Sequence, residues 1–265
     1  MALLADLFLV FIAGLITALA TGLGALPFFF FDDIGNRWTG ALWGIAGGIM
    51  LSASTFGLIL EGVQIGTLSE VALGLFLGGV LIAIADRAIH DYEFQPREIA
   101  EADFKKMMLI LGVLTVHSFP EGVAIGVAFA ELGLVGGVPF LGFSIPLLAI
   151  FMTLAISIQN IPEGLAVSIP LHTFGYSKKD MVGAAIFSSL PQPIGAVLAF
   201  YFVILAKKLL PIGFGFAAGA MIYLVFDEMI PEGLERTAGS DYGRIIVAVS
   251  TLVGFLSMLP LLFIG

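Results

Sequence analysis

Long apolar stretches alternate with short polar ones along the whole chain. A membrane-crossing helix needs about 20 mostly apolar residues. Eight stretches meet that requirement: 7–31, 39–60, 68–85, 107–130, 140–171, 181–206, 210–231 and 243–264. The fifth is long enough to tilt or bend. Only one polar connection is long, residues 86–106, which carries mixed charges and His90. The pattern predicts an all-α integral membrane protein of eight transmembrane helices. It forms one domain, 1–265, with 86–106 as a cytoplasmic loop. Residues 1–6 lack the positive segment that opens a cleaved leader, so the first span is expected to be retained.

Composition sharpens this picture. Hydrophobic residues make up 59% of the 265 and charged residues 12%, against about 25% charge in a soluble domain. A water-soluble globule is excluded, and the lipid bilayer becomes the first expected partner. Eleven basic against 20 acidic residues give a net charge of -9, which excludes a nucleic-acid partner, since that needs a basic face. Cysteine is absent, so neither a disulfide framework nor a thiolate metal site can form. With the N-terminus outside, the inner loops hold Arg37, Arg87, Arg97, Lys105, Lys106, Lys178, Lys179, Arg236 and Arg244. That is nine of the 11 basic residues, and only Lys207 and Lys208 remain outside. The positive-inside bias predicts a multi-pass protein of the plasma or inner membrane with both termini extracytoplasmic. Phe28–Phe31, Trp38 and Trp43 are expected as interfacial anchors, with His172 also at the interface.

Two internal echoes stand out. Thr115–Gly122 in span 4 (Thr-Val-His-Ser-Phe-Pro-Glu-Gly) resembles Ser157–Gly164 in span 5 (Ser-Ile-Gln-Asn-Ile-Pro-Glu-Gly). In addition, Gly44, Ala46, Gly48, Met50, Glu61 and Gly62 of span 2 match Gly215, Ala217, Gly219, Met221, Glu232 and Gly233 of span 7. Spans 2 and 7 run in opposite directions in this topology, as do 4 and 5. Inverted repeats around a midplane site are characteristic of transporters; shared small-residue packing is the other reading of the 2/7 pair.

The polar residues inside the spans carry the chemistry. A carboxylate at bilayer depth costs several kcal/mol unless it is compensated, and Glu121 and Glu163 lie deep in apolar spans that hold no Lys or Arg at their centres. A bound cation is the simplest compensation. His117 and Glu121 share one helix face, as do Gln159 and Glu163. Pro120 and Pro162 each remove a backbone donor, which predicts a kink and a freed carbonyl beside each glutamate. One imidazole, one amide oxygen and two carboxylates suit a divalent transition metal and argue against Cu(I). Asp227 and Glu228, in the inner part of span 7, are expected to form a cation exit. Asp86 and Glu232 lie toward the same side, and Glu61 toward the outer one. Ser188–Pro193 breaks span 6 with two prolines and offers Gln192 to the centre.

On these motifs, His117-Ser118-Phe119-Pro120-Glu121-Gly122 and Gln159-Asn160-Ile161-Pro162-Glu163-Gly164, the sequence resembles the ZIP family of divalent metal transporters. The resemblance implies a 3+2+3 helix arrangement in which spans 1–3 and 6–8 form an inverted repeat. It also implies a metal site between spans 4 and 5 and movement of metal toward the cytoplasm. The first site of two-metal members matches His117, Glu121, Gln159 and Glu163. The second corresponds to Ser118, Asn160 and Gln192, with both glutamates bridging. Ser118 is a poor ligand and Gln192 removes an anion, so one well-held ion is expected. The cargo is a divalent metal ion, zinc first, with iron, manganese and cadmium as alternatives. No organic cofactor is expected, and a homodimer is the oligomer considered.

The resemblance also implies alternating access, in which spans 1, 4, 5 and 6 move against spans 2, 3, 7 and 8. The faces Gly44-Gly47-Gly48 and Gly215-Gly219 are expected to permit the sliding. Two other function classes fit parts of the pattern. A metal-sensing membrane receptor would bind without flux. An intramembrane metalloenzyme would use the spacing of His117 and Glu121, although no H-E-x-x-H motif is present.

Overall fold

The computed structural model describes residues 2–31, 34–90, 118–130, 132 and 137–260. His117 and residues 91–106 therefore lie outside the described residues, as does the first part of span 4. The described chain is almost entirely helical. We number the helices α1 (Leu3–Phe29), α2 (Asn36–Ile65), α3 (Leu68–Arg87), α5 (Leu147–Thr173), α6 (Lys178–Leu205), α7 (Lys207–Arg236) and α8 (Gly243–Met258). Between α3 and α5, residues 118–128 form α4. Six of these helices are long and apolar enough to cross a membrane.

Local sequence explains several boundaries. Helix α6 starts at a capping box in which the Ser177 hydroxyl accepts from the Asp180 backbone N–H and the Asp180 carboxylate accepts from Ser177. It breaks at Ser189-Leu190 and resumes at Pro191, since proline lacks the backbone donor of a helix interior but suits the first turn. Helix α5, by contrast, continues through Pro162 and Pro170. The α3 helix continues to His90, so the expected loop beginning at residue 86 starts with helical residues.

The all-α expectation holds for the described residues, and one boundary needs correction. Span 5 was expected from residue 140, but Val138–Phe140 and Phe143–Ile145 pair as an antiparallel hairpin, and the helix begins only at Leu147. The two-residue turn places Leu141 at φ 48° and Gly142 at φ 86°, the backbone that tight hairpins require. Helices α1, α2 and α7 also exceed their expected limits by a few residues at one end or both.

The exterior is that of a lipid-facing protein. Phe8, Ile16, Phe76, Ile84, Leu198 and Phe202 are exposed, while the core holds Met50, Met152, Ile156 and Met221 with many alanines. The aromatic expectation splits. Trp38, Phe30 and Phe31 are exposed, as anchors should be, but Trp43 and Phe28 are buried. Phe28 stacks on His172 with ring centroids 4.8 Å apart. Both are drawn inward because they sit on the faces that pack against neighbouring helices.

Small residues set the packing. Gly44 and Gly48 of α2 lie against the α8 backbone at Val247 and Thr251, and Gly215 and Gly219 of α7 lie against the α3 backbone at Val71 and Leu75. These seams pack α2 on α8 and α3 on α7, and in both the contacts advance in the same direction along the two helices. The echo between spans 2 and 7 extends to helix geometry: each contains a π segment, Ala53–Ile59 and Val225–Met229. Glycine thus joins α2 to α8 and α3 to α7, where backbones meet directly. Toward α4 and α5, two glycines meet side chains instead: a Cβ on Gly57 would lie 3.0 Å from Phe151 and one on Gly213 would lie 3.4 Å from Val127.

Candidate metal centre

Helices α1, α4, α5 and α6 carry the polar centre. Both Pro-Glu-Gly motifs use their glycine in the same way. A Cβ on Gly122 would strike the Gln192 carbonyl on α6, and one on Gly164 would strike the Thr21 carbonyl on α1. Glycine at these two positions lets the helix backbones touch, which brings the preceding glutamate up to side chains of the crossing helix.

Ser118, Glu121, Gln159, Asn160, Glu163 and Gln192 are all buried. The Glu121 and Glu163 side chains lie close enough to interact electrostatically, and Glu228 lies within electrostatic reach of Glu163. Glu121 is held on both oxygens: Gln159 Nε2 donates to Oε1 at 2.9 Å, and Gln192 Nε2 donates to Oε2. Gln192 Oε1 in turn accepts from Thr17 Oγ1 at 2.6 Å and from Asn160 Nδ2 at 3.0 Å. Asn160 Nδ2 also donates to the Thr17 carbonyl at 2.8 Å. Further along α1, Thr21 Oγ1 donates to Ser189 Oγ at 2.7 Å.

Two buried oxygens in this network have no partner among the described residues, Gln159 Oε1 and Asn160 Oδ1. Buried acceptors normally find a donor. Two neighbouring carboxylates and these two amide oxygens form an acceptor-rich cluster that a cation would satisfy. Asp, Glu and amide oxygens suit divalent ions, and two carboxylates balance one M²⁺. Among the described residues no three His, Cys, Asp or Glu side chains converge into a ready-made metal cage; amides complete the set, and His117 lies outside the described residues.

The structure separates the two acids expected at the exit. Glu228, half-buried, senses Glu163, whereas Asp227 is exposed and hydrogen-bonds Tyr223, near Asp86 and Arg87. Glu232 pairs with Arg236 at 2.6 Å, an ordinary helix-end ion pair. Sequence reasoning missed Thr17 and Thr21, which bring α1 into the centre. A threonine in an apolar span gives no signal by itself.

A lipid-embedded helical bundle with an acidic, amide-lined centre belongs to the class of membrane proteins that handle cations. Comparison with known proteins gives the same direction. Residues 93–262 match the model of the family described as ZIP Zinc transporter. Over 255 residues the chain is 31% identical to zinc transporter GufA of Myxococcus xanthus, covering 90% of this chain and 96% of that protein. It is 34% identical over 241 residues to zinc transporter ZIPB of Bordetella bronchiseptica, covering 83% and 72%. An Arabidopsis thaliana protein named "Putative zinc transporter" is 41% identical over 225 residues, which are 84% of this chain but only 34% of that longer protein. The chain belongs to the ZIP zinc transporter family.

Proposed function

We propose that the protein carries divalent transition-metal ions across a cell membrane toward the cytoplasm, with zinc as the principal cargo. The close approach of Glu121 and Glu163, deep in the bundle and beside two amide oxygens that have no partner among the described residues, is the observation that supports this best. The ion sheds water and is held by Glu121, Glu163, Gln159 and His117. Asn160 and Ser118 border the site. Release runs past Glu228 toward the inner side, with Asp227 nearer the exit. The Gln192 oxygen already accepts two hydrogen bonds, which supports a single well-held ion.

Eight spans in a 3+2+3 arrangement, with both termini extracytoplasmic, fit the parallel runs of α2 with α8 and of α3 with α7. In such a fold α1, α4, α5 and α6 move as one body against the other four, and the side-chain contacts at Gly57 and Gly213 suit that motion better than interlocked backbones would. The relatives' printed names support zinc, and an oxygen-rich donor set leaves room for manganese, iron and cadmium.

Zinc uptake into proteoliposomes, with Mn²⁺, Fe²⁺, Cd²⁺ and Co²⁺ as competitors, tests the proposal. Wild-type vesicles should accumulate zinc, and Glu121→Ala and Glu163→Ala vesicles should not. Zinc binding without accumulation would overturn transport in favour of a receptor.

A further inference from the structure

We propose that Thr17, on the first helix, is a positioning residue that sets how many ions, and which oxygens, the centre uses. This rests on the reading of Glu121 and Glu163 as the ion-holding pair. Thr17 is fully buried. Its hydroxyl lies 2.6 Å from Gln192 Oε1 and 2.8 Å from the Gly14 carbonyl, sharing one proton between the two acceptors with Gln192 the nearer, and its carbonyl accepts from Asn160 Nδ2 at 2.8 Å. An amide side chain presents either an oxygen or an NH₂ group to a neighbour, and its other end must suit what it meets. Here two donors, Thr17 Oγ1 and Asn160 Nδ2, converge on Gln192 Oε1. That leaves only the N–H end to face Glu121, where it donates to Oε2.

Two consequences follow for the ion. Gln192 is removed from the set of oxygen ligands, since its oxygen is already spoken for, and its N–H stands where a second dication would otherwise approach Glu121. Glu121 is meanwhile held in one orientation by a donor on each oxygen. The neutral oxygens left without a partner among the described residues are Gln159 Oε1 and Asn160 Oδ1. Thr17 thus acts through Gln192 and Asn160 rather than by touching the ion.

The test is zinc transport kinetics of Thr17→Val, which keeps the shape and removes the hydroxyl, and of Thr17→Ser, which keeps the hydroxyl. Thr17→Ala is a second deletion variant should valine impair folding. Thr17→Val should raise KM for zinc about five-fold, the equivalent of one neutral hydrogen bond, with kcat unchanged. Thr17→Ser should restore the wild-type KM. A merely structural role would lower kcat or the yield of folded protein and leave KM alone. Wild-type KM in both Thr17→Val and Thr17→Ala, or equal impairment in Thr17→Ser, overturns the positioning role while leaving the transport reading intact. If wild-type vesicles take up no more zinc than Glu121→Ala vesicles, the transport reading itself fails.

Discussion

Replacing Gly122 by alanine should weaken ion binding far more than it weakens the fold. A Cβ at this position would lie 2.8 Å from Gln192 Cα, besides striking the Gln192 carbonyl oxygen. Ordinary carbon–carbon contact begins near about 3.5 Å, so α4 and α6 must separate by roughly 0.7 Å or more. That opening stretches the unusually short Gln192 Nε2 to Glu121 Oε2 bond to the far edge of the N–H···O range. A hydrogen bond to a charged group is worth about 1.5–3 kcal/mol, so weakening it should lower zinc affinity by about 10-fold. Overpacking itself costs about 1–3 kcal/mol of stability. Gly219→Ala is the matched control. Its Cβ would be 2.7 Å from Leu75 Cα, an equal insult in the α3–α7 seam, which carries no part of the centre. Zinc uptake in proteoliposomes, with thermal unfolding measured in parallel, separates the two effects. Both variants should melt at lower temperature, but only Gly122→Ala should show a raised KM. A wild-type KM in Gly122→Ala, or an equal rise in Gly219→Ala, would refute the reasoning.

Other perturbations bear on the same centre. Gln192→Glu adds an anion beside Glu121 and removes the N–H that contacts it, so elemental analysis of purified protein should rise from one zinc per chain toward two. Glu228→Gln should slow zinc release more than Asp227→Asn does in a stopped-flow efflux assay, because Glu228 senses Glu163 and Asp227 is exposed on Tyr223; the reverse ranking would remove Glu228 from the exit. Protons bind the same carboxylates as the ion and bind more as pH falls, so zinc uptake should decline as the outer solution is acidified, through a higher KM. Uptake indifferent to outer pH would count against direct ligation by the glutamates.

Much of this protein was legible because polar groups in apolar spans are conspicuous. Glu121 and Glu163 stand out in runs that carry no basic residue, and the repeated Pro-Glu-Gly tied them together before any geometry was known. Their glycines became intelligible only once Gly122 was seen on Gln192 and Gly164 on Thr21. Thr17 could not be found from sequence, since the bond that gives it a role joins residues 175 positions apart. The 138–145 hairpin was hidden because apolar length alone cannot separate strands from a helix. Trp43 was misplaced because an aromatic near a span end can face the core as well as the interface. The glycine faces were legible as close-packing surfaces, but which helix each one meets depends on the fold. Asp227 and Glu228 are adjacent in sequence, and only the π segment that holds them shows which one senses the centre.

The central claim is that two membrane-embedded carboxylates are balanced by a captured dication. Anomalous diffraction at the zinc edge from crystals of the zinc-loaded protein measures it directly. The account expects one strong peak between Glu121 and Glu163, with carboxylate oxygens at about 2.0–2.2 Å. A peak away from both residues, or a zinc-loaded crystal in which the two carboxyl groups lie close together with no metal between them, would contradict it.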